Sequence, residues 1–274
     1  MSVYSSSGAT TMACSLPSEI LDLIVDHLRD ERTTLKACCV TSKSWVPRAR
    51  KHLFARIQFH ARERPIESWI QAFPDPSNSL AHHPRTLSFG RQDASTLVNP
   101  DIGRWIRAFH RVESLHMDTL GWDDYRVSFV QLHRFSPILK SLTLIHSSVS
   151  LSEVFSLICS FPLLEDLVLL TIGPKNETDR WNPPPTSPKF TGSLMISGGI
   201  HPVTCRLCDL PGGLRFSKIT LSYTNEVTTS VTDLVSRCSD TLESLTISRR
   251  ASGAFISALV ISQHLTAVRD RRCG

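Results

Sequence analysis

The sequence predicts an α/β protein: an N-terminal module of three helices, then a right-handed α/β solenoid with a parallel sheet. Three observations carry this. Residues 16–54 place aliphatics at helical spacing, a short alternating apolar pattern recurs about every 26 residues from Leu87 to Leu245, and segments with apolar spacing of three and four lie between the recurrences. The 274 residues suffice for one large domain or two smaller ones. At 41% hydrophobic and 20% charged, the chain can bury a core. No stretch approaches the apolar length of a membrane-spanning helix. Residues 1–13, MSVYSSSGATTMA, are small and polar. They are expected to be disordered, and they lack the basic start and apolar stretch of a secretion signal. Eight cysteines spread over such a chain are expected to be reduced thiols, in the cytoplasm, the nucleus or both.

Residues 14–55 hold the helical module. Pro17 suits the start of the first helix, where its missing N–H would have no intrahelical acceptor, and Glu19 lies in the first turn, where the helix dipole favours an anion. Ile20, Leu21, Ile24, Val25 and Leu28 then form one wide apolar stripe. Thr33 or Thr34 can cap a second helix carrying Leu35, Cys38, Cys39 and Val40. Pro47 opens a third, with Ala49, Leu53 and Phe54. Three helices in about 40 residues sit at the lower limit of independent stability, and their apolar stripes exceed what so small a bundle encloses. The surplus faces either the rest of this chain or a partner.

The segment Leu16-Pro17-x-Glu19-Ile20-Leu21, then Ile24, Leu28, Leu35, Val40, Lys43 and Trp45, resembles an F-box, whose pattern is L-P-x-E-I-L followed by spaced aliphatics and V-x-x-K/R-x-W. It covers about 40 residues, and the ordered run of positions carries it. Val25 departs from the pattern, since many members carry Phe there. The resemblance implies docking on the Skp-type adaptor of a cullin–RING ubiquitin ligase through Leu16, Pro17, Ile20, Leu21, Ile24, Leu28, Leu35, Val40 and Trp45. Each large aliphatic buried on a partner offers about 1.5–3 kcal/mol, from which association and ordering costs subtract. Trp45 is either an interface anchor or core glue between the second and third helices.

Residues 56–83 read as a basic connecting segment and linker. The stretch 48–64, RARKHLFARIQFHARER, holds six Lys/Arg and one Glu, with Phe54 and Phe59 interleaved. Such a run can contact nucleic acid, but no zinc-finger or RNP-type motif accompanies it, and a solvated helix face or a clamp for an acidic protein accounts for it equally.

From residue 84 to 274 one unit recurs: Leu87-Ser88-Phe89, Leu115-His116-Met117, Leu142-Thr143-Leu144, Leu167-Val168-Leu169, Leu194-Met195-Ile196, Ile219-Thr220-Leu221 and Leu245-Thr246-Ile247. The intervals are 28, 27, 25, 27, 25 and 26 residues. Three residues before each first member stand Val112, Leu139, Leu164, Phe216 and Leu242, with Pro84 and Thr191 as exceptions. Helical spacing occupies 101–109, 127–135, 151–160 and 229–238. A strand and a helix in each short repeat make a solenoid with a parallel sheet. The pattern resembles an irregular leucine-rich repeat, L-x-x-L-x-L, without the Asn that usually follows the strand: Ser147, Ile172, Thr224 and Arg250 stand there. Residues 173–190 carry five prolines and read as a projecting loop, 198–215 lack a helix signal, and 254–268 read as a final helix.

Residues between the core positions of a strand point the other way. Here they are mostly Ser, Thr and His. Ser114, His116, Ser141, Thr143, Asp166, Lys218 and Thr220 mark a face that either hydrogen-bonds a protein target or is simply solvated. Cys205-x-x-Cys208 with His201 upstream is the single metal-like spacing, and zinc wants four ligands. No G-x-S-x-G, Walker A, dinucleotide or H-E-x-x-H motif is present, so neither catalysis nor a cofactor is expected. The resemblances together imply a substrate-recognition adaptor of a Skp–cullin–F-box ligase. The alternatives are an F-box scaffold outside a ligase and, further off, a nucleic-acid binder using 48–64.

Overall fold

The computed structural model describes residues 17–60, 65–77, 80–90, 100–118, 132–133, 135–145, 150–171, 182–183, 185–198, 200–223 and 229–249. The chain divides into two compact units, residues 1–54 and 55–274.

The first unit holds α1 (Ser18–His27), α2 (Arg32–Thr41) and α3 (Val46–Leu53). The carbonyl of Pro17 accepts from the backbone N–H groups of Ile20 and Leu21, which starts α1. Glu31, not Thr33 or Thr34, occupies the position before α2, and it makes no side-chain cap. Pro47 lies in the first turn of α3, where a missing N–H costs nothing. The core is small: Val25, Leu35, Cys38, Ala49 and Leu53 are buried, with Leu28, Cys39, Trp45 and Phe54 packed against them.

The second unit is α/β. It contains one eight-stranded sheet in chain order: β1 (Arg56–Phe59), β2 (Thr86–Phe89), β3 (Ser114–Asp118), β4 (Ser141–Ile145), β5 (Asp166–Leu170), β6 (Ser193–Ser197), β7 (Lys218–Tyr223) and β8 (Ser244–Arg249). Every neighbouring pair is parallel. All seven recurrences of the apolar pattern are strands, and their first members stand in one register row, Leu87, Leu115, Leu142, Leu167, Leu194, Ile219 and Leu245. The helices are α4 (Ile66–Ala72), α5 (Pro100–Ala108), α6 (Leu151–Cys159), α7 (Ile200–Cys208) and α8 (Thr229–Arg237). α6 is capped by Ser150: the Glu153 N–H donates to Ser150 Oγ, and that hydroxyl donates to the Glu153 carboxylate.

A backbone device repeats with the strands. The residue before a strand and that strand's first residue both donate to one carbonyl of the preceding repeat. Glu113 and Ser114 donate to Arg85, Lys140 and Ser141 to Glu113, Glu165 and Asp166 to Lys140, and Glu243 and Ser244 to Ser217. Arg85–Glu113 and Lys140–Glu165 add ion pairs along the same row.

Four differences from the sequence reading have physical causes. Residues 56–83 are not a linker: Arg56–Phe59 form β1, paired in register with β2, and Ile57 and Phe59 are buried in the core. Its short R-x-Q-x alternation, with one charged and one polar residue, masks the strand signal. Residues 198–215 contain α7, whose Val203, Thr204, Leu207 and Cys208 are buried; Pro202 sits in its first turn, where proline is tolerated. At the exceptional Thr191, the neighbouring Phe190 takes the core place. It adopts φ 31° to do so and stacks on Phe216 at 5.0 Å between ring centres. The end of the Pro-rich stretch is thus packed, with Pro188 also buried. The expected helix over 254–268, all of 173–181 and, of the expected helix over 127–135, all but 132, 133 and 135 lie outside the described residues.

Candidate functional site

α1 carries one wide apolar stripe. Leu21, Val25 and Leu28 recur at i, i+4 and i+7 and turn inward: Val25 is 1% exposed and the other two are half-buried. Ile20, Leu23 and Ile24 occupy the adjoining flank of the stripe at 43%, 64% and 42% exposure. Val40 near the end of α2 is 86% exposed, and Lys43 beyond it is exposed too. An amphipathic surface helix normally turns polar residues outward, so large aliphatics on its solvent face are the informative departure.

The nine expected docking residues therefore separate. Ile20, Ile24, Val40 and Pro17 are exposed. Leu21, Leu28 and Trp45 are half-buried, the last two packed on the unit's own core. Leu35 is 1% exposed and is corrected from a docking residue to a core residue. A second helix of one small bundle can spare few aliphatics, and Leu35 is buried in one cluster with Val25, Cys38, Ala49 and Leu53. Leu16 lies outside the described residues. Leu23, which the sequence reading passed over, is the most exposed aliphatic of α1; its signal was the i+3 spacing from Ile20.

A polar clasp fixes α1 against α3. Asp26 accepts from Arg48 through both Nε and Nη2, and from His52 Nε2 at 2.7 Å. Asp22 stands 3.9 Å from the same guanidinium. Hydrogen bonding from Arg48 holds the Asp26 carboxyl well below the usual carboxylate range; burial opposes this, and the hydrogen bond from His52 adds to it. The clasp leaves the face of Ile20, Leu23 and Ile24 untouched.

Arg48 is engaged by Asp26, Phe59 is 2% exposed and Phe54 packs on the first unit's core, so neither aromatic is a stacking platform. Arg50, Lys51 and Arg56 are exposed, and residues 61–64 lie outside the described residues.

On the sheet, Ser114, His116, Ser141, Thr143, Asp166 and Thr220 are half-buried and Lys218 is exposed, on the side opposite the core row. Asp166 is committed locally: its Oδ1 accepts from the backbone N–H of Ser193 at 2.6 Å and from the Ser193 hydroxyl at 2.7 Å. The hydroxyl pattern is interrupted at one place. Ile145 is the register partner of Leu170, and Val168 that of Met195, which makes a small apolar cluster with Met195 38% exposed. In sequence this was visible only as the unbroken apolar run Leu167–Leu170.

α7 carries Cys205, whose Sγ lies 3.8 Å from His201 Nδ1; that nitrogen also lies 3.0 Å from Ser230 Oγ. Burial pushes the Cys208 thiol up. Among the described residues no group of three or more His, Cys, Asp or Glu side chains is placed to hold a metal ion. No helix among them is long and apolar enough to cross a membrane. No protein-family model matches this chain, and neither a curated protein nor a solved structure is significantly similar to it.

Proposed function

We propose that this protein is a substrate-recognition adaptor of a Skp–cullin–F-box ubiquitin ligase. Its first unit would dock on the Skp-type adaptor as an F-box, and its second, read as an irregular leucine-rich-repeat-like solenoid, would hold a protein target. The observation that carries the reading is the outward apolar face of α1, Ile20, Leu23 and Ile24, on a helix whose inward face already completes a core around Val25 and Leu35. Such a face has no purpose in an isolated bundle, and about 1.5–3 kcal/mol for each aliphatic removed from water is the driving force it holds in reserve. The order of Pro17, Glu19, Ile20, Lys43 and Trp45 supplies the identity of the partner. The chain-ordered parallel sheet supports the repeat reading of the second unit.

In this role the protein performs no bond-making step. It raises the concentration of a bound target near the charged conjugating enzyme, so its contribution is effective molarity. The test is capture of a purified Skp-type adaptor by the full chain. Binding is expected for the wild type and is expected to be lost in Ile20→Asp with Ile24→Asp, whose circular dichroism should match the wild type because both side chains are already exposed. Absence of binding by the wild type, or binding indifferent to the double substitution, overturns the assignment.

A further inference from the structure

Cys205 and Cys208 stand in the last turn of α7, and among the described residues no set of three ligands gathers there for a metal ion. Their spacing puts both thiols on one strip of the helix with His201 and Thr204, at i, i+3, i+4 and i+7. The strip meets α8 through Ser230, whose Oγ lies 2.8 Å from Thr204 Oγ1 and 3.0 Å from His201 Nδ1. The imidazole is held by that contact, and its Nδ1 stands 3.8 Å from Cys205 Sγ, within reach of a sulfur hydrogen bond.

The two thiols differ. Cys205 is half-buried, so a small oxidant reaches it, and it has the imidazole beside it. Cys208 is 9% exposed and packs in the apolar core, and burial pushes its thiol up, which keeps it protonated. The C-terminal end of a helix disfavours a thiolate, and His201 is the group placed to offset that at Cys205. Joining the pair takes a small movement. Side chains three apart on a helix have Cβ atoms about 5–6 Å apart and a disulfide wants about 3.5–4.5 Å, so the last turn must tighten. The backbone just past it is already tight, since the Leu210 N–H donates to the Leu207 carbonyl at 3.2 Å. Gly213, at φ 70° with nothing within 4 Å of where a Cβ would stand, lets the chain beyond follow.

We propose that Cys205 and Cys208 are a redox pair: a hydroperoxide oxidises Cys205, and Cys208 closes the product to a disulfide. The Cys205 thiol gives its proton to His201, and the thiolate sulfur attacks one peroxide oxygen. An S–O bond forms, the O–O bond breaks, and the leaving oxygen takes the proton from His201 and departs as an alcohol, or as water from hydrogen peroxide. Cys208 Sγ then attacks the sulfenic sulfur. The S–S bond forms, the S–O bond breaks, and the hydroxyl leaves as water with the Cys208 proton. Two thiols have lost two electrons and the peroxide has gained them. The pair is independent of the ligase reading.

Peptide mass spectrometry on the full chain tests it. The reduced protein is exposed to hydrogen peroxide, its remaining thiols are alkylated, and it is digested without reductant. Trypsin cuts after Lys189, Arg206 and Arg215, so the two cysteines fall on different peptides, 190–206 and 207–215. These are expected to appear joined after peroxide and separate after dithiothreitol. In Cys208→Ser, Cys205 is expected to stop at the sulfenic acid and take up dimedone. His201→Gln is expected to slow oxidation of Cys205 by about tenfold or more while the circular dichroism holds. Three results would overturn the proposal: no joined peptides in the wild type, Cys205 joined to any other cysteine, or an oxidation rate unchanged in His201→Gln. Should a variant fail to fold, the wild-type peptides decide.

Discussion

Arg48 on α3 grips both carboxylate oxygens of Asp26 on α1, and His52, one helical turn further, donates to the same carboxylate. The grip spans helices that share only a small apolar core, so it sets where α1 lies and hence where Ile20, Leu23 and Ile24 point. Both partners remain about one-third exposed, so its worth is that of a good surface pair.

Replacing Asp26 with Asn is therefore expected to destabilise the first unit by about 0.5–1 kcal/mol at pH 7. The sign with pH follows from the direction of the shift. A carboxyl held below its ordinary value in the folded chain adds stability that is complete above about pH 4 and is lost as the pH falls further. Urea denaturation of wild type and Asp26→Asn at pH 7 and pH 3 checks this: the gap between them should narrow at the lower pH.

A core aliphatic of α2 and an exposed one of α1 should respond oppositely to mutation. Leu35→Ala opens a cavity in the small core and should cost about 2–5 kcal/mol. Leu23→Asp changes an exposed position and should stay within about 0.5 kcal/mol. Thermal unfolding separates them, and adaptor capture should reverse the order at Leu23, where binding falls while the fold holds.

Gly192 occupies the charge row of Arg85, Glu113, Lys140 and Glu165 but cannot carry a side chain. An added Cβ would lie 2.4 Å from Asp166 Oδ1 and 3.1 Å from the Glu165 carbonyl oxygen. Gly192→Ala must push Asp166 off Ser193, breaking two hydrogen bonds to a carboxylate. A loss of about 1–3 kcal/mol is expected in denaturant titrations, and Asp166→Ala should make the glycine replacement cheaper.

Thiol chemistry gives a probe of the second unit. Burial pushes the Cys159 thiol up to about 11 and raises Cys208 and Cys238 as well. Iodoacetamide at pH 8 should alkylate these three far more slowly in the folded chain than in urea, read by peptide mass spectrometry. For Cys159 the folded rate should climb about tenfold per pH unit until the pH nears 11, because the thiolate is the nucleophile.

The repeat was legible because strand alternation is local. Each Leu-x-Leu places two side chains on one face whatever surrounds it, and seven of them at near-constant spacing fix strand positions and pairing order together. The order Leu16-Pro17-x-Glu19-Ile20-Leu21 likewise carried a resemblance without any coordinates. Which aliphatic of α1 faces inward was not legible, because so wide an apolar stripe has no preferred centre until α2 and α3 choose Val25 over Ile24. Leu35 was misread for the same reason, and β1 was missed because Arg56 and Gln58 conceal two buried residues. Phe190 stands in for Thr191 through a backbone twist that only the packing of Phe216 makes worthwhile. The sequence by itself determined the periodic elements, since their signal is a spacing along one segment. Only the tertiary structure decided burial, since that depends on which segments meet.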